Sequence, residues 1–139
     1  MQIKEIMSPS PEYISPNTLL KDAALRMRDL DTGFLPVGDK TTNKLVGTVT
    51  DRDIVIRALA NNTDISHTSV DQIMTGNVLY CYEDEPVEKA AESMKKQQVR
   101  RLIVLDRNKN LAGIVSLGDV ATHIKDHKLV GDVLESISE

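Results

Sequence analysis

The chain is written twice, and the second writing constrains the first. Gly47-Thr48-Val49-Thr50-Asp51-Arg52-Asp53 is matched by Gly113-Ile114-Val115-Ser116-Leu117-Gly118-Asp119, with a shared pattern of Gly, two residues, Thr or Ser, two residues, Asp. Upstream, Ile6-Met7 corresponds to Ile73-Met74, Tyr13 to Tyr80, and Ala23-Ala24 with Met27 to Ala90-Ala91 with Met94. The offset is 67 residues as far as Asp39/Asp106 and 66 from Leu45/Leu111 onward, so one residue is gained or lost in the turn 40–44. A period this long exceeds that of solenoid repeats and predicts two copies of one small unit.

Composition narrows the class. In 139 residues there is room for one ordinary domain. A single copy would be marginal alone, because small domains bury only about 60% of their chain surface. The two copies are therefore expected to form one module. Hydrophobic residues make up 40% and charged residues 27%, as in a soluble globular protein, and aromatics at 3% leave the core to aliphatic side chains. A net charge of −4 argues against nucleic acid as a partner. One cysteine, Cys81, excludes an internal disulfide and reads as packing in a strand-like run rather than as a nucleophile. With no apolar run of membrane-spanning length, no membrane association is expected and the expected location is cytoplasmic.

Each copy reads as strand, helix, strand, strand, helix, giving an α+β fold. Extended runs at 11–14 and 78–82 precede helices whose apolar faces are Leu20, Ala23, Ala24, Met27 and Leu30, then Val87, Ala90, Ala91 and Met94. Asn17 or Thr18 is expected to cap the first, and Asp84 the second, with Pro86 in its first turn. Two hairpins follow, 33–38 with 45–49 and 102–105 with 111–115, each around a polar turn of about five residues. Second helices are predicted over 51–59 and 117–125. The boundaries are 1–62 for the first repeat, 63–72 for a linker, 73–126 for the second repeat and 127–139 for a helical tail bearing Leu129, Val130, Val133, Leu134 and Ile137.

The repeated phrase has two chemical readings. Thr50 with Asp53, and Ser116 with Asp119, have the form of a capping box, in which hydroxyl and carboxylate satisfy backbone N–H groups reciprocally. The alternative is a nucleotide site. A strand-to-helix turn can offer N–H groups and a hydroxyl to phosphate, and an Asp can accept from ribose hydroxyls. Recurrence at one place in both copies, with a Gly each time where a backbone would need close approach, favours the second reading.

With Ile14-Ser15-Pro16, Gly33-Phe34-Leu35-Pro36-Val37, Thr50-Asp51-Arg52-Asp53-Ile54 and Val99-Arg100-Arg101-Leu102-Ile103-Val104-Leu105-Asp106 in this order, the chain resembles a pair of CBS domains, a Bateman module, and most closely small stand-alone bacterial members. The resemblance covers nearly the whole chain. It implies two tandem β-α-β-β-α repeats packed by a pseudo-twofold axis through their sheets, with clefts that bind adenosine-containing ligands: AMP, ADP, ATP, S-adenosylmethionine, NAD or cyclic dinucleotides. It also implies the roles of individual residues. Thr50 and Ser116 match the phosphate- or ribose-side hydroxyl, and Asp53 and Asp119 the ribose carboxylate. Thr48, Ile114, Tyr13, and Val78 or Tyr80 match positions lining the base. Arg100, Arg101 and Arg52 match cations that reach phosphates. Because Gly33-Phe34 stands where the second repeat has Arg100-Arg101, and Gly118 where the first has Arg52, the two sites are expected to bind anions unequally.

The expected function is a regulatory sensor without catalysis or a required cofactor, forming a homodimer and acting on an unknown protein partner in trans. The alternative is a ligand-free dimeric scaffold, in which the motifs are caps alone. Asp119, His123 and His127, spaced four apart, also admit a metal reading, against the plainer reading of two solvated histidines. No metal is expected.

Overall fold

The structure is a computed structural model describing residues 1–123, 131–132 and 134–136. Its chain divides into two compact units, one of Glu12–Val78 and one of Met1–Pro11 with Leu79–Glu139. In the first of these, helix α1 (Leu20–Leu30) packs on a hairpin of β2 (Phe34–Asp39) and β3 (Lys44–Thr50), and a second helical segment begins with α2 (Asp51–Asp53). In the other, β1 (Ser8–Pro9), β4 (Tyr80–Tyr82), β5 (Arg101–Leu105) and β6 (Leu111–Ser116) form a four-stranded sheet in the order β1-β6-β5-β4. Helices α3 (Val87–Gln97) and α4 (Leu117–His123) accompany it. The α+β class and the two tandem repeats are as expected.

Period-two alternation places the core on one face of each hairpin. Leu35, Val37 and Val49 meet Leu20, Ala23 and Met27 in one core, and Leu102, Val104 and Val115 meet Val87, Ala90, Ala91 and Met94 in the other. Thr48 and Thr50, and likewise Ile114 and Ser116, therefore lie on the opposite faces of β3 and β6. Cys81 sits in the second core at 4% exposure, and burial pushes its thiol up to about 12. It is a packing residue.

The one-residue difference between the copies falls inside the hairpin turns. Asn43 N–H donates to Asp39 O, four residues back, at 2.8 Å, whereas Lys109 N–H donates to Asp106 O, three back, at 2.9 Å. Both turns then close through a left-handed residue, Asn43 at φ 58° and Lys109 at φ 62°.

The units and the sequence repeats are out of phase, because the segment leading into each repeat completes the other unit. Ile3 and Ile6 are buried in the core of α3, β5 and β6, and their counterparts Val70 and Ile73 in that of α1, β2 and β3. Ser8 and Pro9 pair with Ile114 and Gly113. In the same way Thr75 exchanges two backbone hydrogen bonds with Thr48, each of 2.9 Å. Glycine at 47 and 113 follows from this exchange. A Cβ on Gly47 would stand 2.7 Å from Thr75 O, and one on Gly113 2.7 Å from Ser8 O. The close approach anticipated at these glycines is to the chain's own backbone.

Three local expectations are corrected. Neither Asn17, Thr18 nor Asp84 caps a helix. The flanking residues of α1 and α3 are Leu19 and Pro86, without side-chain caps. The exchanged segments do the work instead: Leu20 N–H donates to Thr68 O at 2.9 Å, Lys21 N–H to Ile65 O at 3.0 Å and Val87 N–H to Met1 O at 3.1 Å. Asp84 is bound to Arg107, whose guanidinium holds its carboxyl below the usual carboxylate range. Second, the run 11–14 is not a strand; Ile14 makes a single parallel bridge to Val37, while its counterpart β4 pairs with β5 over three residues. Third, the helix expected over 51–59 widens into a π-helix at Ile54–Ala58.

The tail's described residues, Gly131, Asp132, and Leu134 to Ser136, are helical and touch α3: Ser136 Oγ donates to Lys95 O at 2.9 Å, and Lys95 Nζ lies 3.6 Å from Asp132 Oδ2. His127, Leu129, Val130, Val133, Ile137 and the end of the helix predicted to reach 125 lie outside the described residues.

Candidate functional site

Each copy of the repeated phrase forms a corner where a strand turns into a helix. Both corners are complete capping boxes. Asp53 N–H donates to Thr50 Oγ1 and Thr50 N–H to Asp53 Oδ2, each at 3.0 Å. Asp119 N–H donates to Ser116 Oγ at 3.0 Å and Ser116 N–H to Asp119 Oδ2 at 2.9 Å. The spacing of three residues requires this, since it sets each carboxylate over the N–H that opens its own helix.

The backbone N–H groups are less open than the sequence suggested. At the first corner Asp51 N–H donates to Gly33 O at 2.9 Å and Arg52 N–H to Asp51 Oδ1 at 2.8 Å. At the second, Leu117 N–H donates to Arg100 O at 2.8 Å. What each corner can offer a ligand is therefore mostly side chain. The hydroxyls keep their protons to donate, and each Asp keeps one oxygen, Oδ1.

Those two oxygens are not equivalent. Asp53 Oδ1 faces Arg57 Nε at 3.8 Å, and Arg57 also donates to Ile73 O at 3.0 Å. In the second repeat this position is His123, whose ring Nδ1 lies 2.8 Å from the Asp119 backbone oxygen and leaves the carboxylate alone. Asp119 Oδ1 has no hydrogen-bond partner among the described residues.

At the second corner three of the anticipated residues come together. Arg100, Arg101 and Ser116, with Leu117, Gly118, Ala121 and Leu134, line a cavity of about 500 Å³. That volume is within the range of small-molecule pockets. Two arginines and a serine among the lining residues suit a phosphate, since charge-assisted bonds to guanidinium are the strong ones. Asp119 is joined to the lining residue Ser116 by the two capping-box hydrogen bonds. Leu134 is a lining residue that sequence reasoning did not single out; its only signal was the apolar spacing of the tail.

The remaining anticipated residues are elsewhere in their units. Thr48, 9% exposed, is paired with Thr75, and Ile114 with Ser8 and Ile103. Tyr13 lies on the first hairpin: its hydroxyl donates to Asn43 Oδ1 at 2.9 Å, Lys40 Nζ sits 3.7 Å above its ring, and Gly38 leaves room for that ring. Tyr80 stacks edge-on to Tyr82 at 5.6 Å and is 42% exposed, and Val78 is half-buried two residues before it. Arg52 is exposed on the first helix start. Among the described residues, no cluster of three or more His, Cys, Asp or Glu could hold a metal ion, and no helix is long and apolar enough to cross a membrane.

Comparison with known proteins bears on these corners. The Bacillus subtilis protein YlbB is 36% identical over 138 residues, covering 99% of this chain and 92% of its own. A structure of Hypoxic Response Protein I with two coordinated zinc ions superposes with a TM-score of 0.80 at 30% identity, over 89% of this chain and 99% of that one. The CBS domain pair of MJ0100, in complex with 5′-methylthioadenosine and S-adenosylmethionine, gives 0.75 at 33% identity over 88% and 94%. CBSX2 in complex with AMP gives 0.75 at 27% identity over 87% and 93%. The CBS-domain model itself matches residues 3–59 and 70–126, so each match takes in one exchanged segment, one hairpin and one capping-box corner. With a model match over both repeats and a relative 36% identical over 99% of the chain, the chain belongs to the CBS-domain family and carries two CBS domains in tandem.

Proposed function

We propose that this protein is a regulatory sensor of an adenosyl ligand, drawn from AMP, ADP, ATP, S-adenosylmethionine and NAD, and that it acts in trans on a protein partner in the cytoplasm. The observation that carries the reading is the second-repeat corner, where Arg100, Arg101 and Ser116 face a cavity of about 500 Å³ and one carboxylate oxygen of Asp119 has no hydrogen-bond partner among the described residues. Phosphate goes to the guanidinium groups and the Ser116 hydroxyl, and ribose hydroxyls donate to Asp119. Relatives crystallised with AMP, and with S-adenosylmethionine and 5′-methylthioadenosine, support the ligand class. Regulation follows only if the ligand binds two conformations with different affinity.

Homodimer formation belongs to the same proposal. Val55, Ile56 and Leu59 stand 50%, 51% and 52% exposed on the helical segment after the first corner, where the second repeat has Ala121, Thr122 and Lys125. Such an apolar surface suits a second copy of the chain.

The completed capping boxes favour the second reading, a ligand-free scaffold, because they account for Thr50, Asp53, Ser116 and Asp119 without any ligand. A melting-temperature panel separates the two. A ligand at 100 times its dissociation constant stabilises by about 2.7 kcal/mol. Asp119→Asn keeps an acceptor for Ser116 N–H while removing the carboxylate, so it should weaken a ribonucleotide more than its 2′-deoxy analogue. No shift with any of the five ligands leaves the scaffold; equal losses for both sugars remove the ribose role of Asp119.

A further inference from the structure

The two corners differ at a pair of positions that touch each other. In the first repeat, the Asp51 carboxylate lies where a side chain at 33 would begin: a Cβ on Gly33 would stand 2.6 Å from Asp51 Oδ2 and 2.8 Å from Asp51 Cγ. The position is fixed from both sides, by Asp51 N–H on Gly33 O and by Asp51 Oδ1 accepting from Arg52 N–H. In the second repeat the same two positions are Arg100 and Leu117, joined by the same backbone hydrogen bond of Leu117 N–H to Arg100 O. So where one corner has a carboxylate over a bare backbone, the other has a guanidinium beside an aliphatic side chain. An arginine has no room at 33 while Asp51 keeps this position.

The charge each corner shows a ligand follows. At the second, Arg100 and Arg101 line the cavity without a carboxylate among its lining residues. At the first, exposed Asp51 stands in the place of the first arginine, and Phe34 in that of the second. A phosphate brought there meets the Asp51 carboxylate and, with Arg52 as the arginine at this helix start, gains no guanidinium pair. Each charge-assisted hydrogen bond forgone is worth about 1.5–3 kcal/mol, or about ten- to a hundredfold in affinity.

We infer that Asp51 is a specificity residue that excludes phosphate from the first corner. The chain then has one corner for phosphorylated adenosyl ligands and one for adenosyl groups whose 5′ substituent is neutral or cationic. The inference rests on the adenosyl reading and adds to it which ligand class each repeat takes.

Calorimetric titration of the full chain tests it, with adenosine and AMP as probes. Wild type should bind one AMP per chain and two adenosines. Asp51→Asn, which keeps an acceptor for Arg52 N–H, should make a second AMP site measurable. Gly33→Arg with Asp51→Leu, which supplies one of the second corner's two arginines while Phe34 stays in place of the other, should bring that site within about a hundredfold of the original. Arg100→Ala with Arg101→Ala should remove AMP binding and spare adenosine at the first corner. Two equal AMP sites in wild type would overturn the inference while leaving the adenosyl reading intact, as would an AMP stoichiometry that stays at one in Asp51→Asn. Binding of neither probe to wild type would remove the adenosyl reading itself, and the inference with it.

Discussion

Replacing Gly113 by alanine puts a methyl group where two atoms already stand. The new Cβ would lie 2.6 Å from Met7 Sδ and 2.7 Å from Ser8 O. The thioether can swing aside, since methionine is unbranched and has three rotatable bonds. The carbonyl cannot, because Ser8 and Pro9 are held in register with Ile114 and Gly113, and Ser10 N–H donates to Ala112 O at 3.1 Å. Relief requires β1 to lift from β6. Overpacking of this kind costs about 1–3 kcal/mol. Alanine returns about 0.4–1 kcal/mol by narrowing the unfolded ensemble. The net loss is about 1–2 kcal/mol, a fall in melting temperature of about 3–8 °C for a chain of this length. Gly47→Ala should behave alike, meeting Thr75 O at 2.7 Å and Met74 Sδ at 2.9 Å. Gly76, with nothing within 4 Å of its would-be Cβ, supplies the control: Gly76→Ala should be neutral or stabilising. Backbone strain does not enter, since no glycine has positive φ. Urea unfolding of the three variants decides the matter. If Gly113→Ala and Gly47→Ala unfold at or above the midpoint of Gly76→Ala, the exchanged segments do not impose these glycines.

Three further outcomes follow from the cores. Ile3→Ala empties a fully buried site and should cost about 2–5 kcal/mol, with amide exchange accelerated in α3, β5 and β6 before β2 and β3. Cys81, with its thiol pushed up to about 12 by burial and then by Glu85, should resist a disulfide reagent at pH 8 in the folded chain and react on unfolding. Because folding favours the neutral thiol, its contribution is whole below the unfolded pKa of about 8.5 and is lost as pH climbs from there toward 12. The difference in urea midpoint between pH 7 and pH 10 should therefore shrink in Cys81→Ala.

What could be read in the sequence was what is local. The capping boxes need only residues three apart, and both formed as written. Hairpins, helix faces and the one-residue turn difference depend on spacing and turn chemistry within a few dozen residues, and these too were legible. What failed depends on distant partners. Asn17, Thr18 and Asp84 have the chemistry of caps, but Thr68 O and Met1 O reach the helix starts first. A repeat period cannot say on which copy a segment folds, so the placement of Ile6-Met7 with α3, and of Ile73-Met74 with α1, was invisible. The same blindness turned Gly47 and Gly113 into apparent ligand contacts. Of the candidate site, Arg100, Arg101 and Ser116 line one cavity. The carboxylate of Asp51 over Gly33 was hidden, because nothing in the sequence shows that positions 33 and 51 touch.

The pairing of Ser8 with Ile114 sets an order of events on the ribosome. All of Glu12–Val78 is contiguous, so every partner within it is present once Val78 clears the exit tunnel. Residues 1–11 emerge before it but find their partner strand only after more than a hundred further residues are made. At about 5–20 residues per second that is a wait of about 5–20 s. Through it, Ile3 and Ile6 are apolar groups in water, with a strand edge that has nothing to pair with. The later half of the molecule thus depends on a segment that must stay available, unaggregated and untrapped, while the earlier half folds around its own copy of the same motif.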